Sequence, residues 1–175
     1  MWAPDKSKLV RVRLHNQGED VETVWAEDFG AVEKGSRTRR VRLGNVPLLH
    51  AKPTYGDVLE VRPDEADGML DWDLEGLSFE HIGRRIHGDD GRWVMIIDYR
   101  ATPPARDVDA TFKALDIAAE RADIAVEGAF AEEDRSGGRA YLAVPRSMSL
   151  ADVLARLHSA DLALAFTLVH PVDDD

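Results

Sequence analysis

The sequence predicts an α+β protein in two parts: an N-terminal small all-β, barrel-like domain over residues 1–87, followed by a ferredoxin-like βαββαβ domain over residues 88–175. Two observations carry this. Between Gly91 and Pro171, six segments alternate strand, helix, strand, strand, helix, strand, which is the order of a split βαβ domain. Ahead of them, short stretches of period-two hydrophobicity are separated by glycine and proline, the spacing of a small barrel or curled sheet. With 175 residues and 44% apolar composition, the chain can fill the cores of two small domains.

In the first part, Val10, Val12 and Leu14 alternate with Arg11, Arg13 and His15, the pattern of a strand with one wet face. A turn at Gln17-Gly18-Glu19-Asp20 leads into a return strand marked by Val21, Thr23 and Trp25. Arg39, Val41 and Leu43 share one face of the next strand, with Thr38, Arg40 and Arg42 on the other. Pro47, Pro53 and Gly56 punctuate a connection into a strand over residues 58–61, and an acidic turn over 63–68 precedes residues 69–74. Residues 79–86 read as extended, and His87 to Gly91 turns the chain into the second part.

There, Trp93-Val94-Met95-Ile96-Ile97 is an unbroken apolar run of strand length, expected at the centre of a sheet. Asp107 or Asp109 can cap a helix whose Val108, Phe112, Leu115, Ala119 and Ala122 recur every three to four residues. Ile124, Val126, Gly128 and Phe130 alternate with small or polar residues, and an Asp134-Arg135-Ser136-Gly137-Gly138 turn folds that strand back as a hairpin through residues 139–145. Ser149 with Asp152 is a capping box, with Met148 and Val153 as its staple, opening a helix with an apolar face of Leu150, Val153, Leu154 and Leu157. Residues 162–169 supply the last strand. This order predicts two helices on one face of a four-stranded antiparallel sheet, with Phe112, Leu115 and Leu154 in its core.

Three segments of the first part, Trp25-Ala26-Glu27, Leu43-Gly44-Asn45-Val46-Pro47-Leu48 and Tyr55-Gly56-Asp57-Val58-Leu59-Glu60-Val61, with Ala143-Val144-Pro145 in the second, resemble the bacterial domain-of-unknown-function family 4265. The resemblance implies no established catalytic activity. It implies a role for some members as immunity partners of bacterial toxins. The chain departs from the family at His81-Ile82-Gly83-Arg84-Arg85, where the family tends to show a Ser-Gly-containing segment, so no function tied to that loop carries over.

The formal net charge is -11, which opposes non-specific attraction to nucleic acid and favours a basic partner. Lys34, Arg37, Arg39, Arg40, Arg42 and Lys52 stand against Glu33, whereas residues 57–80 hold nine acids against Arg62. Two strand faces that attract each other across a sheet account for this as well as a docking surface does. The second part carries nine basic residues against seventeen acids and has Tyr141 as the one aromatic on the strand where RNA-recognition domains concentrate theirs, which argues against RNA binding. Of the six histidines, His81 and His87 stand six apart in an extended segment, roughly 20 Å from end to end, too far for one ion.

No cysteine, nucleophile elbow, phosphate loop or dinucleotide turn is present, so no catalytic, cofactor-binding or metal-ligating residue is assigned and the balance is against an enzyme. The first eight residues lack the apolar stretch of a signal peptide, and no run is long enough to span a bilayer, so a cytoplasmic, membrane-free location is expected. The expected function is protein binding, as an immunity or inhibitor protein whose acidic surface meets a basic partner. Its expected contact residues are Asp71, Asp73 and Glu75, which alternate onto one strand face, together with Trp25 and Glu27. Trp25 is read as a core aromatic on the face of Val21 and Thr23, or alternatively as a binding anchor. The alternative function is a small-molecule sensor holding a ligand between the lobes or at a dimer interface.

Overall fold

A computed structural model describes residues 3–15, 21–63, 78–87, 91–103, 108–131, 136–160, 162 and 164–171. The protein is mixed α+β and strand-rich, and its contacts divide it into two units, Trp2–Asp90 and Gly91–Asp175.

In the first unit, strands β1 (Leu9–His15), β2 (Val21–Ala31), β3 (Arg39–Leu43), β4 (Val58–Pro63) and β5 (Ser78–His87) form a closed barrel in that order. Sequential neighbours are antiparallel, and β5 meets β1 in parallel, with Phe79 opposite Val12, to complete the ring. Closure leaves no free edge in the ring. Alternate residues point inward: Val10, Val12 and Leu14 of β1, Val24 and Ala26 of β2, Val41 and Leu43 of β3, Leu59 and Val61 of β4 and Phe79 of β5 share one buried cluster. At roughly 1.5–3 kcal/mol per large apolar side chain, that burial is the main gain set against the entropy of ordering the strands.

The core reading of Trp25 is corrected here. Trp25 does share a face of β2 with Val21 and Thr23, but the face looks outward: Trp25 and Val21 are each 40% exposed, while Val24 and Ala26 fill the interior. β2 carries apolar residues in both phases of its two-residue period, so the choice of phase inverts which side is buried.

The second unit runs β6 (Arg92–Ala101), α1 (Val108–Arg121), β7 (Ala125–Ala131), β8 (Gly137–Pro145), α2 (Leu150–Ser159) and β9 (Leu164–His170). Its sheet has the order β7-β8-β6-β9 with every neighbouring pair antiparallel. Met95, Ile97 and Tyr99 of β6 and Ala140, Leu142 and Val144 of β8 form one cluster with Val108, Leu115 and Ala119 of α1 and Val153 and Leu157 of α2. Both helices therefore lie on one face of the sheet. Phe112 and Leu154 pack at the margin of this cluster, partly buried. The capping box of α2 is complete: Ser149 Oγ accepts the Asp152 N–H (3.2 Å), and the Asp152 carboxylate accepts the Ser149 N–H (3.1 Å). Such a cap stabilises the helix by about 1 kcal/mol. Arg92, nearly buried, donates to the carbonyls of Asp123 and Ala143 and to the Asp123 carboxylate, which fixes the turn after α1.

On the sheet face away from the helices, Asp98 and its cross-strand neighbour Arg139 form a two-point ion pair, at 2.6 and 2.9 Å. The Arg139 hydrogen bonds hold the Asp98 carboxyl below its ordinary value, overcoming the opposite push of partial burial. A depressed carboxyl contributes stability above its unfolded value of about 3.9 and loses it as pH falls through the folded value. Solvent reaches the Asp98 side chain, so the contribution is small. An NMR titration of the Asp98 carboxyl should give a midpoint below about 3.9, and Arg139→Met should return it to that range. A normal midpoint in the parent protein would contradict the pairing.

Candidate functional site

Trp25-Ala26-Glu27, residues 43–48 and residues 55–61 come together at one junction beside β2. Past Leu43 the chain leaves β3 but keeps following β2: the Gly44 N–H donates to the Trp25 carbonyl (2.8 Å), and Asn45 Oδ1 accepts the Trp25 N–H (2.9 Å). The Asn45 side chain thus stands in for the carbonyl of a continuing strand. Farther on, the Glu22 carboxylate accepts the N–H groups of Leu48 (2.7 Å) and Leu49 (2.9 Å), and its Oε2 lies 3.3 Å from His50 Nδ1. The Glu22 and His50 side chains are both largely buried, at 12% and 8% exposure.

The loop returns to the barrel through Tyr55, Gly56 and Asp57. Gly56 has φ 87, a left-handed conformation that costs glycine nothing, and its N–H donates to the Leu43 carbonyl while the Leu43 N–H donates to the Asp57 carbonyl. Asp57 is fully buried; its Oδ2 accepts the Thr54 N–H (2.9 Å) and pairs with Lys52 Nζ (3.4 Å). A charge is tolerated there because it is paired and hydrogen-bonded.

What this frame leaves to solvent includes large apolar side chains. Val21 and Trp25 are exposed on β2, and Leu49, whose N–H rests on Glu22, is exposed on the loop. Farther along β2, Phe29 is exposed at an open groove of about 630 Å³ lined also by Lys8, Leu9, Asp28, Gly30 and Arg39. Arg39 is engaged by Asp28 at two points, Nε to Oδ1 at 3.0 Å and Nη2 to Oδ2 at 2.5 Å, so the groove contains a neutralised pair.

Of the residues expected to meet a partner, Trp25 is at the surface. Glu27 is mostly buried, opposite Arg42 on β3. Asp71, Asp73 and Glu75 lie outside the described residues. Within residues 57–80, Asp57 is buried, Glu60 is mostly buried opposite Arg40, and Glu80 pairs with Arg62 (2.8 Å) and His15 (3.2 Å). These three acids serve the barrel, and the other six of that segment lie outside the described residues. The period that includes Val21 and Trp25 extends to Phe29 and could have flagged it, whereas Glu22 and His50 stand 28 residues apart and carry no sequence signal.

Among the described residues, no group of three His, Asp, Glu or Cys side chains is placed to hold a metal ion, and no helix is long and apolar enough to cross a membrane. No family model matches the chain, and no curated protein does either. Among solved structures the chain is similar to a hypothetical protein from Neisseria gonorrhoeae, at 12% identity and a TM-score of 0.38, over 91% of this chain and 92% of that one.

Proposed function

We propose that this chain is a non-enzymatic protein-binding module of the immunity or inhibitor kind, which uses the outward face of β2 to anchor a basic protein partner. The observation that carries the reading is Trp25: a large aromatic, 40% exposed, on a backbone held at both its N–H and its carbonyl. A rigidly presented aromatic keeps the entropy cost of binding low, and aromatic anchors dominate interface energetics. Val21 and Leu49 widen the apolar contact, and the net charge of -11 supplies long-range attraction for a basic protein. The resemblance to family 4265 supports the same role, as does the placement of its three N-terminal segments at this junction. We assign the second unit to the ferredoxin-like class on the support of its βαββαβ order and its β7-β8-β6-β9 sheet.

The test is binding of the purified chain to the products of adjacent genes, at about 50 mM and about 300 mM salt. Association should slow as salt rises, and Trp25→Ala should weaken affinity at least tenfold, about 1.4 kcal/mol, with an unchanged unfolding midpoint. Failure of every adjacent product to bind, or equal affinity of the variant, would sink the reading.

A second reading, a small-molecule sensor, is favoured by the groove beside Phe29, whose volume falls within the range of ligand sites. A thermal-shift screen of metabolites checks it, since a ligand that binds the folded state raises the unfolding midpoint. A flat response across the screen removes it.

A further inference from the structure

The inward phase of β2 runs Val24, Ala26 and then Asp28, and that of β3 runs Leu43, Val41 and then Arg39. One end of the barrel interior therefore finishes in an ion pair, with the Arg39 guanidinium carbon 5.9 Å from the centre of the buried Phe79 ring. β2 is bulged at the same end. Its register against β3 passes from Asp28 opposite Val41 to Gly30 opposite Arg40, which leaves Phe29 without a cross-strand partner on β3, and Gly30 adopts φ 99. Bulges re-aim a side chain and gather beside functional sites. This one is held by Asp28 Oδ1, which accepts the Gly30 N–H (2.7 Å), and it places the exposed Phe29 at the mouth of the open groove of about 630 Å³.

The two members of the ion pair are used unequally. Both Asp28 oxygens are taken by Arg39 and the Gly30 N–H. Arg39 meets Asp28 through Nε and Nη2, which leaves the Nη1 end of its fork without a described partner, and its side chain is 34% exposed. A guanidinium carries donors along more than one edge, so one carboxylate does not exhaust it. Asp28 and the Phe79 ring hold the group in place, and a preorganised donor loses little entropy when a ligand arrives. Lys8, also on the groove, is a surface side chain paired loosely with Asp5 (3.5 Å). Both cations of the groove are thus matched by an acid, and the chain carries -11, so a polyanion is repelled and finds few donors. A single carboxylate on an apolar body fits better: the free end of the fork can receive it at two points, and Phe29 and Leu9 give the body an apolar wall. Taking the groove as a ligand site, as in the sensor reading, we propose that this mouth of the barrel binds a monocarboxylate with a compact apolar body, its carboxylate on the free end of Arg39 and its body against Phe29.

The experiment is a titration of the full chain with phenylacetate and with hexanoate, read by proton–nitrogen NMR at the Phe29 and Gly30 amides and at the Arg39 Nε–H. The shifts should saturate at roughly millimolar ligand, an affinity within reach of so small a molecule. Phenethylamine keeps the body and reverses the charge, acetate keeps the charge without the body, and each should bind about tenfold more weakly or worse. Arg39→Lys retains the charge, loses the fork and should weaken phenylacetate by about tenfold. Because that change also disturbs the pair with Asp28, Phe29→Ala supplies a second variant at an exposed side chain, with about a fivefold loss of affinity and an unchanged unfolding midpoint. No saturable shift with either carboxylate, phenethylamine bound as well as phenylacetate, or a folded Phe29→Ala of unaltered affinity would overturn the proposal. The sensor reading falls separately. A metabolite without a carboxylate that raises the unfolding midpoint and moves the same amides overturns the ligand class and leaves the site standing, whereas a flat screen together with unmoved amides removes both.

Discussion

Asp57→Ala is expected to destabilise the protein by about 2–3 kcal/mol, because it removes a buried charged acceptor from a donor that has nowhere else to turn. The Thr54 N–H, in a fully buried residue, donates to Asp57 Oδ2, and Lys52 Nζ pairs with the same oxygen. Alanine leaves the N–H without that acceptor and takes this carboxylate away from the ammonium. Lys52 reaches solvent, so the cost falls mainly on the amide and stays below that of breaking a fully buried ion pair. Asp57→Asn keeps an acceptor oxygen and should cost roughly half as much, which separates the hydrogen bond from the charge. Urea denaturation measures both. An alanine variant within about 0.5 kcal/mol of the parent would mean that the carboxylate does not hold the turn.

Leu142→Ala is expected to cost about 3–4 kcal/mol, the loss of a buried isobutyl group plus the cavity it leaves. Leu142 is fully buried on β8, between Met95 of β6 and Val126 of β7, in the cluster that both helices share. Surroundings drawn from strands on either side and from helices above cannot collapse together without disturbing three kinds of packing, which keeps the cost in the upper part of the usual range. Leu142→Met, nearly equal in volume, should cost less than about 1.5 kcal/mol. Calorimetric unfolding of the two variants tests this, and a loss under about 1 kcal/mol for the alanine would show that the site is not a shared core.

The strands and helices were legible because their patterns agree with their surroundings at every level. Val10, Val12 and Leu14 have one apolar phase, so β1 could be oriented from sequence. Ser149 and Asp152 mark a helix start by a local hydrogen-bond pattern that needs no partner elsewhere in the chain. β2 was legible as a strand but not in its facing, since Val21, Trp25 and Phe29 on one side compete with Val24 and Ala26 on the other. Burial of acids was not legible either. Asp57 reads like any acid of its run, and what distinguishes it is the Thr54 amide beside it, a contact made by folding. The parallel meeting of β1 and β5, and the Glu22–His50 contact, depend on residues far apart in the chain, for which local period gives no warning.

The strand order of the second unit also sets a timetable for synthesis. β6, whose Trp93–Ile97 is an unbroken apolar run, takes its place between β8 and β9, and both of those are made after it. A ribosome adding about 5–20 residues per second finishes β9 several seconds after β6. Until β8 is made Val94, Met95, Ile96 and Ile97 have neither neighbour, and until β9 follows they have one, and a nascent chain in that state is the form that chaperones and proteases meet first.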